Sequence, residues 1–261
     1  MKILTSKLLV TILLLAISSC RFQEKMLFYP DKLSSTYQFT FQEKFNEYYF
    51  KVDKKNSIHG VLFKADSSKG VVFYLHGNGG AIDSWGNIAN VYLKNNYDFF
   101  ILDYRGYGKS ESRIKNERQI NTDLQIVYDS IKTIYNEQNI AIIGYSIGTG
   151  FAAKLAAENH PKILILKTPY FSMVDLAHKY MEIFPTFLMR YKIKTNENIV
   201  KVKCPIVLFH GDKDEVIYYE SSEKLMKLLK IGDRLVTLKG QSHNGINENS
   251  LYQEELKKIL N

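Results

Sequence analysis

Five stretches of this chain are nearly unbroken apolar runs that end at glycine or a polar residue: GVVFYLHG, YDFFILDYRG, NIAIIGYS, KILILKTP and CPIVLFHG. A strand with one wet face alternates apolar and polar residues, whereas a continuous apolar run is covered on both faces. Helical segments are expected between the runs: through Trp85 to Asn95, over about 117–136, from Ser146, and from Tyr218 to Lys230. Such repeated units fold as a mostly parallel sheet with helices on both sides and right-handed crossovers. Ahead of them, NEYYFKVDKKNSIHGVLFKA holds two alternating runs joined by DKKNS and reads as a β-hairpin. After them, DRLVTLKG reads as a last strand and NSLYQEELKKIL as a closing amphipathic helix.

The length, 261 residues with 45% hydrophobic, suits one α/β domain. The balance of 35 basic against 27 acidic residues gives +8, but the basic residues are scattered. That describes a solvated basic surface and no nucleic-acid patch, and it is compatible with an anionic membrane surface.

The amino terminus reads as a targeting segment. Lys2 and Lys7 precede an apolar run from Leu8 to Ile17, too short for a spanning helix of ~20 residues. AISSC follows and resembles the lipobox of bacterial lipoproteins. The resemblance implies a signal peptide over 1–19, lipid on Cys20 and a place in the bacterial cell envelope, anchored to a membrane. An uncleaved anchor or an ordinary secretory signal is the alternative. Residues 20–40 are then expected as a lipidated tether, and 41–261 as the folded domain. If Cys20 carries lipid, Cys204 has no disulfide partner and reads as a small core residue.

One segment breaks the rhythm. YFSMVDLAHKYMEIFPTFLMRYKIKTNENI has no strand of its own and follows a sheet strand. It reads as a short helical cap, about 170–200, over the carboxyl ends of the strands, or as a plain crossover packed on the sheet. Its Phe171, Met173, Tyr180, Met181, Phe184, Phe187, Leu188 and Met189 would suit an apolar acyl group if they face a pocket.

Gly144-Tyr145-Ser146-Ile147-Gly148 matches G-x-S-x-G between a strand and a helix, where the glycines permit a strained turn that presents the serine hydroxyl. A serine hydroxyl needs a base, and the base an orienting carboxylate. His243, in the loop KGQSHNGIN after the last strand, returns to the edge that holds Ser146. His160 reads as a surface residue, His178 as a cap residue and His210 as a structural turn residue. For the acid, Asp214 in HGDKDEV is preferred, with Asp212 as runner-up and turn former. The glycine-rich YLHGNGGA would supply an oxyanion donor from Asn78 or Gly79, with Ile147 as the other. His76 would hold that loop by hydrogen bonding.

HGNGG, LDYRGYGKS, GYSIGTG, HGDKDEV and SHNGI together resemble, in order and spacing, the motifs of the α/β-hydrolase superfamily, and within it the serine-aminopeptidase-like hydrolases. The resemblance covers roughly residues 25–261. It implies the α/β-hydrolase fold and the Ser146–His243–Asp214 triad, and it says little of substrate. Ser242 stands where such proteins often carry glycine before the base. Asp103 and Arg105 in LDYRGYGKS are expected to buttress the elbow. The expected activity is cleavage of carboxylic esters or thioesters through an acyl-enzyme, with no metal or organic cofactor needed. The expected partners are a small ester or acyl substrate and the membrane. A peptidase of the same fold, or a catalytically idle binding lipoprotein, are the other readings.

Overall fold

The computed structural model describes residues 23–181 and 185–261. Residues 1–19, expected as a signal peptide, and Cys20 lie outside the described residues, as does Phe184 of the expected cap. No helix among the described residues is long and apolar enough to cross a membrane.

The hairpin forms as expected from β2 (Phe45–Lys51) and β3 (Ser57–Phe63). The apolar runs become β4 (Val71–Leu75), β6 (Asp98–Leu102), β7 (Ile140–Tyr145), β8 (Ile163–Lys167) and β9 (Ile206–Gly211), with β10 (Arg234–Leu238) last. They lie in the order β10-β9-β8-β7-β4-β6-β3-β2, parallel from β10 to β6 and antiparallel at the β3 and β2 edge. This is the mostly parallel sheet the apolar runs require.

Strand side chains alternate between faces, and that alternation sorts the core. Val71, Phe73 and Leu75, Ile140 and Ile142, and Leu164 and Leu166 enter one cluster. Val72 and Tyr74, Ala141, Ile143 and Tyr145, and Ile163 and Ile165 enter the other. The first face is covered by α3 (Glu117–Lys132) and α4 (Gly148–Glu158), the second by α2 (Ala89–Leu93) and α8 (Ser250–Leu260). Side-chain caps mark helix starts: Asn116 accepts from Gln119 N, and Asn249 from Tyr252 N.

Several expectations change. The helix expected through Trp85 to Asn95 is broken into α1 (Ile82–Trp85), a 3-10 turn and α2. Gly86 sits in the break, where a Cβ would meet the Phe41 ring at 2.4 Å. The helix expected over Tyr218 to Lys230 is the shorter α7 (Glu220–Met226). The segment expected as a tether is packed on the domain from residue 23. Residues 23–27 are helical, Phe28 is buried, and β1 (Tyr29–Pro30) pairs in parallel with β5 (Gly79–Gly80). Phe28, and Leu33, Tyr37 and Phe39 further on, carry enough apolar surface to hold the segment down.

The cap expectation divides. Its first half is α5 (Met173–Tyr180), started by Ser172 accepting from Asp175 N. Its last helix, α6 (Thr195–Ile199), packs on α4 as a crossover. Met173 is buried in the core, and Phe171 and Met189 pack against it. Tyr180, Met181, Phe187 and Leu188 are exposed.

Candidate active site

β7 runs into α4 through Tyr145-Ser146-Ile147. Ser146 has φ +53°, a left-handed conformation that costs a non-glycine residue on the order of 1–2 kcal/mol. The strain therefore sits on the serine itself and not on its glycines. Both glycines are there for close approach. A Cβ on Gly144 would lie 2.7 Å from the Gly148 carbonyl, and one on Gly148 2.2 Å from the Leu75 carbonyl. The turn is held by Ser146 N–H donating to the Lys167 carbonyl at 3.0 Å.

His243 and Asp214 arrive from the loops after β10 and β9. His243 Nε2 stands 3.2 Å from Ser146 Oγ, and Nδ1 stands 2.8 Å from Asp214 Oδ2. Against an ionised carboxylate Nδ1 carries the proton, so Nε2 is left to accept from the serine hydroxyl. Ser146 and His243 are only 8% and 6% exposed, so little bulk water competes for these bonds. The structure thus brings together the three residues that the motifs single out.

Asp214 is fixed by more than the imidazole. Its Oδ1 accepts from Val216 N–H at 2.9 Å and Ile217 N–H at 2.8 Å. His210, expected as a turn residue, has Nε2 3.2 Å from Asp214 Oδ2 and 2.9 Å from the Ile217 carbonyl, while Nδ1 meets Ser222 Oγ at 2.6 Å. Burial works to raise the Asp214 pKa, but His210, His243 and the Ile217 N–H outweigh it and hold the carboxyl well below its usual range. Asp212, the runner-up, is exposed and accepts from Gly240 N–H at 2.6 Å, as a turn former does. Ser242, in place of glycine, points to solvent, and His243 still reaches the serine. His160 and His178 are exposed.

The candidate oxyanion donors share a design. A trans peptide points its N–H opposite to the preceding carbonyl, so clamping one carbonyl aims the next N–H. The Gly77 carbonyl, which aims Asn78 N–H, accepts from His76 Nδ1 at 2.7 Å. Burial lowers the His76 pKa to about 4, so the ring is neutral and Nδ1 donates. The Asn78 carbonyl, which aims Gly79 N–H, accepts from Tyr29 N–H at 2.8 Å and Tyr107 hydroxyl at 2.7 Å. The Ser146 carbonyl, which aims Ile147 N–H, accepts from Thr149 N–H at 2.9 Å and Thr149 Oγ1 at 2.6 Å. Among the described residues neither Asn78 N–H nor Ile147 N–H has an acceptor.

The LDYRGYGKS turn braces this loop more than the elbow it was expected to support. Asp103 Oδ1 accepts from Ile82 N–H at 3.0 Å, and Tyr104 hydroxyl donates to the His76 carbonyl at 3.0 Å. Arg105 forms a two-pronged pair with Asp123 at 2.6 and 2.8 Å and reaches Asp53 at 2.8 Å, a structural role. Cys204 is a free, half-buried thiol whose pKa burial pushes up to about 11, as befits a core residue.

Sequence reasoning missed His210, Tyr145, Tyr107 and Lys167. Tyr145 hydroxyl donates to the His243 carbonyl at 2.7 Å. Tyr145, Lys167 and His210 were marked only by their places at strand ends, which many structural residues share, and Tyr107 only by its place in the LDYRGYGKS turn.

Comparison with known proteins bears on the fold and the family. The chain is 30% identical over 186 residues to the lysophosphatidylserine lipase ABHD12 of Danio rerio, covering 62% of this chain and 48% of that one. It is 27% identical over 225 residues to the human alpha/beta hydrolase domain-containing protein 17C, covering 82% and 65%. The matches thus span about half to two thirds of these relatives' length. Among solved structures, the Pyrococcus furiosus esterase Pf2001 superposes with a TM-score of 0.71 at 17% identity, covering 89% of this chain and 98% of that one. Est1E from Butyrivibrio proteoclasticus, with ferulic acid bound, gives 0.66 at 19%, covering 82% and 97%. The fold is that of the α/β-hydrolases. The family model described as "Serine aminopeptidase, S33" matches residues 66–199, just over half of the chain, and the chain belongs to that family of α/β-hydrolases.

Proposed function

We propose that this protein is a serine hydrolase that cleaves carboxylic esters or thioesters through an acyl-enzyme. The observation that carries the reading is the relay Ser146–His243–Asp214, with the serine strained and nearly closed off from water. Ser146 Oγ attacks the acyl carbon while His243 Nε2 takes its proton. Asp214, kept ionised, holds the imidazole tautomer and stabilises the imidazolium. The carbonyl oxygen becomes an oxyanion, received by Ile147 N–H and by Asn78 or Gly79 N–H. Collapse expels the alcohol or thiol, which takes the proton from His243. Water then attacks the acyl-serine by the same route in reverse roles, releasing the acid and restoring Ser146. No step calls on a metal or an organic cofactor.

The relatives' names include a lipase, and a solved neighbour is an esterase. The exposed Tyr180, Met181, Phe187 and Leu188 on the cap side favour an apolar acyl group. For the amino terminus we hold to cleavage before Cys20 and lipidation of its thiol, giving a membrane-anchored envelope enzyme. Gln23, the first described residue, donates to the Leu188 carbonyl at 2.8 Å.

A fluorophosphonate probe should label the wild-type chain, and p-nitrophenyl esters should be hydrolysed with kcat/KM rising from acetate to medium chains. Failure to label would defeat the serine mechanism. Faster turnover of aminoacyl anilides than of any ester would favour a peptidase. Cys20→Ser should move the protein out of the membrane fraction or leave it unprocessed; unchanged membrane association would point to an uncleaved helix.

A further inference from the structure

Lys167 ends β8 on the face that carries Ile163 and Ile165, so alternation sends its side chain into the core beside α2 and α8. It is fully buried. Among the described residues it has no carboxylate partner. Its Nζ donates to Asn247 Oδ1 at 2.8 Å and to Tyr92 hydroxyl at 3.3 Å. It lies 4.8 Å from the centre of the Tyr74 ring, 5.3 Å from Tyr145 and 5.2 Å from Tyr252, within range of cation–π attraction.

An amine buried without a counter-ion costs stability, and an apolar side chain of similar length would fill the same space without that cost. Burial brings the Lys167 pKa down to about 7. The titratable groups that face it are Tyr92 by its hydroxyl and Tyr74, Tyr145 and Tyr252 by their rings, each phenol kept neutral by burial, and more distantly Glu248, whose charge favours the ammonium.

The shortest contact identifies a use. Asn247 lies four residues past His243 in the loop from β10 to α8, and its carbonyl accepts from Gln253 Nε2 at 2.7 Å. Tyr145, whose ring lies beside the amine, grips the same loop by donating to the His243 carbonyl. Through its own carbonyl, Lys167 also receives the Ser146 N–H. One residue therefore joins the serine turn by its backbone to the histidine loop by its side chain. We propose that Lys167 is a positioning residue that, through Asn247 and Tyr145, fixes the 241–249 loop so that His243 Nε2 reaches Ser146 Oγ. This rests on the assignment of Ser146 and His243 as nucleophile and base.

The test uses the full chain with Lys167→Met, Asn247→Leu and both together. Three quantities are read: ester turnover, the rate of fluorophosphonate labelling, and the downfield Nδ1 proton of His243 by NMR. Lys167→Met should lower kcat roughly ten- to hundred-fold while KM stays within about two-fold, since small misplacements of a reacting group cost that much. Asn247→Leu should give a similar loss, and the double variant no more than the larger single one. The His243 proton signal should weaken or move upfield. Lys162→Met, which removes a lysine stacked on Tyr97 at the opposite end of β8, should keep wild-type turnover. A folded Lys167→Met chain that turns over and labels at the wild-type rate overturns the proposal alone. Losses that multiply in the double variant overturn the route through Asn247. A wild-type chain that does not label overturns the Ser146 assignment and the proposal with it. If Lys167→Met does not fold, Asn247→Leu decides, and unchanged kcat there overturns the proposal.

Discussion

The corner where Ser146, His243 and Asp214 meet and the cap beside it are built on opposite plans. At the corner the hydrogen-bonding atoms are nearly all spoken for: the acid holds two N–H groups and two imidazoles, and the carbonyls around the serine are clamped. The cap is tied by polar contacts at its two ends, such as Tyr180 hydroxyl to the Val216 carbonyl, Asp175 to Lys224 and Tyr191 hydroxyl to Glu24, but it leaves large apolar side chains in the open, Phe187 80% exposed among them. Proton transfer needs heavy atoms placed to within tenths of an ångström, so the corner uses directional bonds. Contact with an apolar group needs area and not direction, so the cap can use side chains that no bond fixes.

Substitutions should separate the two plans by size of effect. Ser146→Ala should cost on the order of 10⁴ or more in kcat while leaving the melting temperature near that of the wild type, because the residue fills a turn and not the core. A variant that retained turnover and probe labelling would remove the serine from the mechanism. Asp214→Asn should cost ~10⁴ by losing the carboxylate that sets the imidazole tautomer. Asp212→Asn, whose side chain only caps the Gly240 turn, should cost far less. Equal small losses would leave the acid unassigned.

A third test reads stability. Folding lowers the Lys167 pKa from 10.5 to about 7. Between those values the unfolded chain holds the proton that the folded chain gives up, so the Lys167 contribution to stability rises with pH across that window. Below pH 7 both states are protonated and the full burial penalty stands. Lys167→Met should therefore exceed the wild type in melting temperature most at pH 6, with the gap narrowing by pH 10. A gap independent of pH would mean that the amine does not titrate in the fold. The smallest effect belongs to the cap: Phe187→Ala should shift stability by no more than about 0.5 kcal/mol, because the ring is exposed. It should still flatten the preference for longer acyl chains, each buried methylene being worth ~0.8 kcal/mol at most. An unchanged chain-length profile would say that the cap's apolar groups touch no substrate.

What could be read from the sequence follows the same division. Continuous apolar runs announce a doubly covered strand from local composition alone, so the sheet was legible. The meeting of Ser146, Asp214 and His243 was legible because each lies in a short motif past a strand's carboxyl end. The supports were not. Tyr29, Tyr107, Tyr145 and Lys167 act on residues far away in the chain, and nothing near them in sequence marks the partner; His210 acts on Asp214, only four residues on, but a histidine at a strand end does not by itself announce that contact. The helix break at Gly86 depends on Phe41, a contact across 45 positions. The orientation of the cap was illegible for a further reason: its apolar residues occur on every side, so periodicity does not say which face is covered.

The pairing of Tyr29–Pro30 with Gly79–Gly80 redraws the smallest portion of the chain that can work. A version trimmed at residue 41, where reading 20–40 as a tether puts the start of the domain, would keep Ser146, His243, Asp214 and the whole eight-stranded sheet. It would lose the Tyr29 N–H that grips the Asn78 carbonyl and the Phe28 that seats against Tyr191. Such a fragment should melt cooperatively and yet label slowly, because the Asn78 carbonyl, and with it the aim of Gly79 N–H, would be held by the Tyr107 hydroxyl alone. The sequence alone places residues 23–33 in a tether. Their behaviour in a fragment should place them with the loop that carries Asn78 and Gly79.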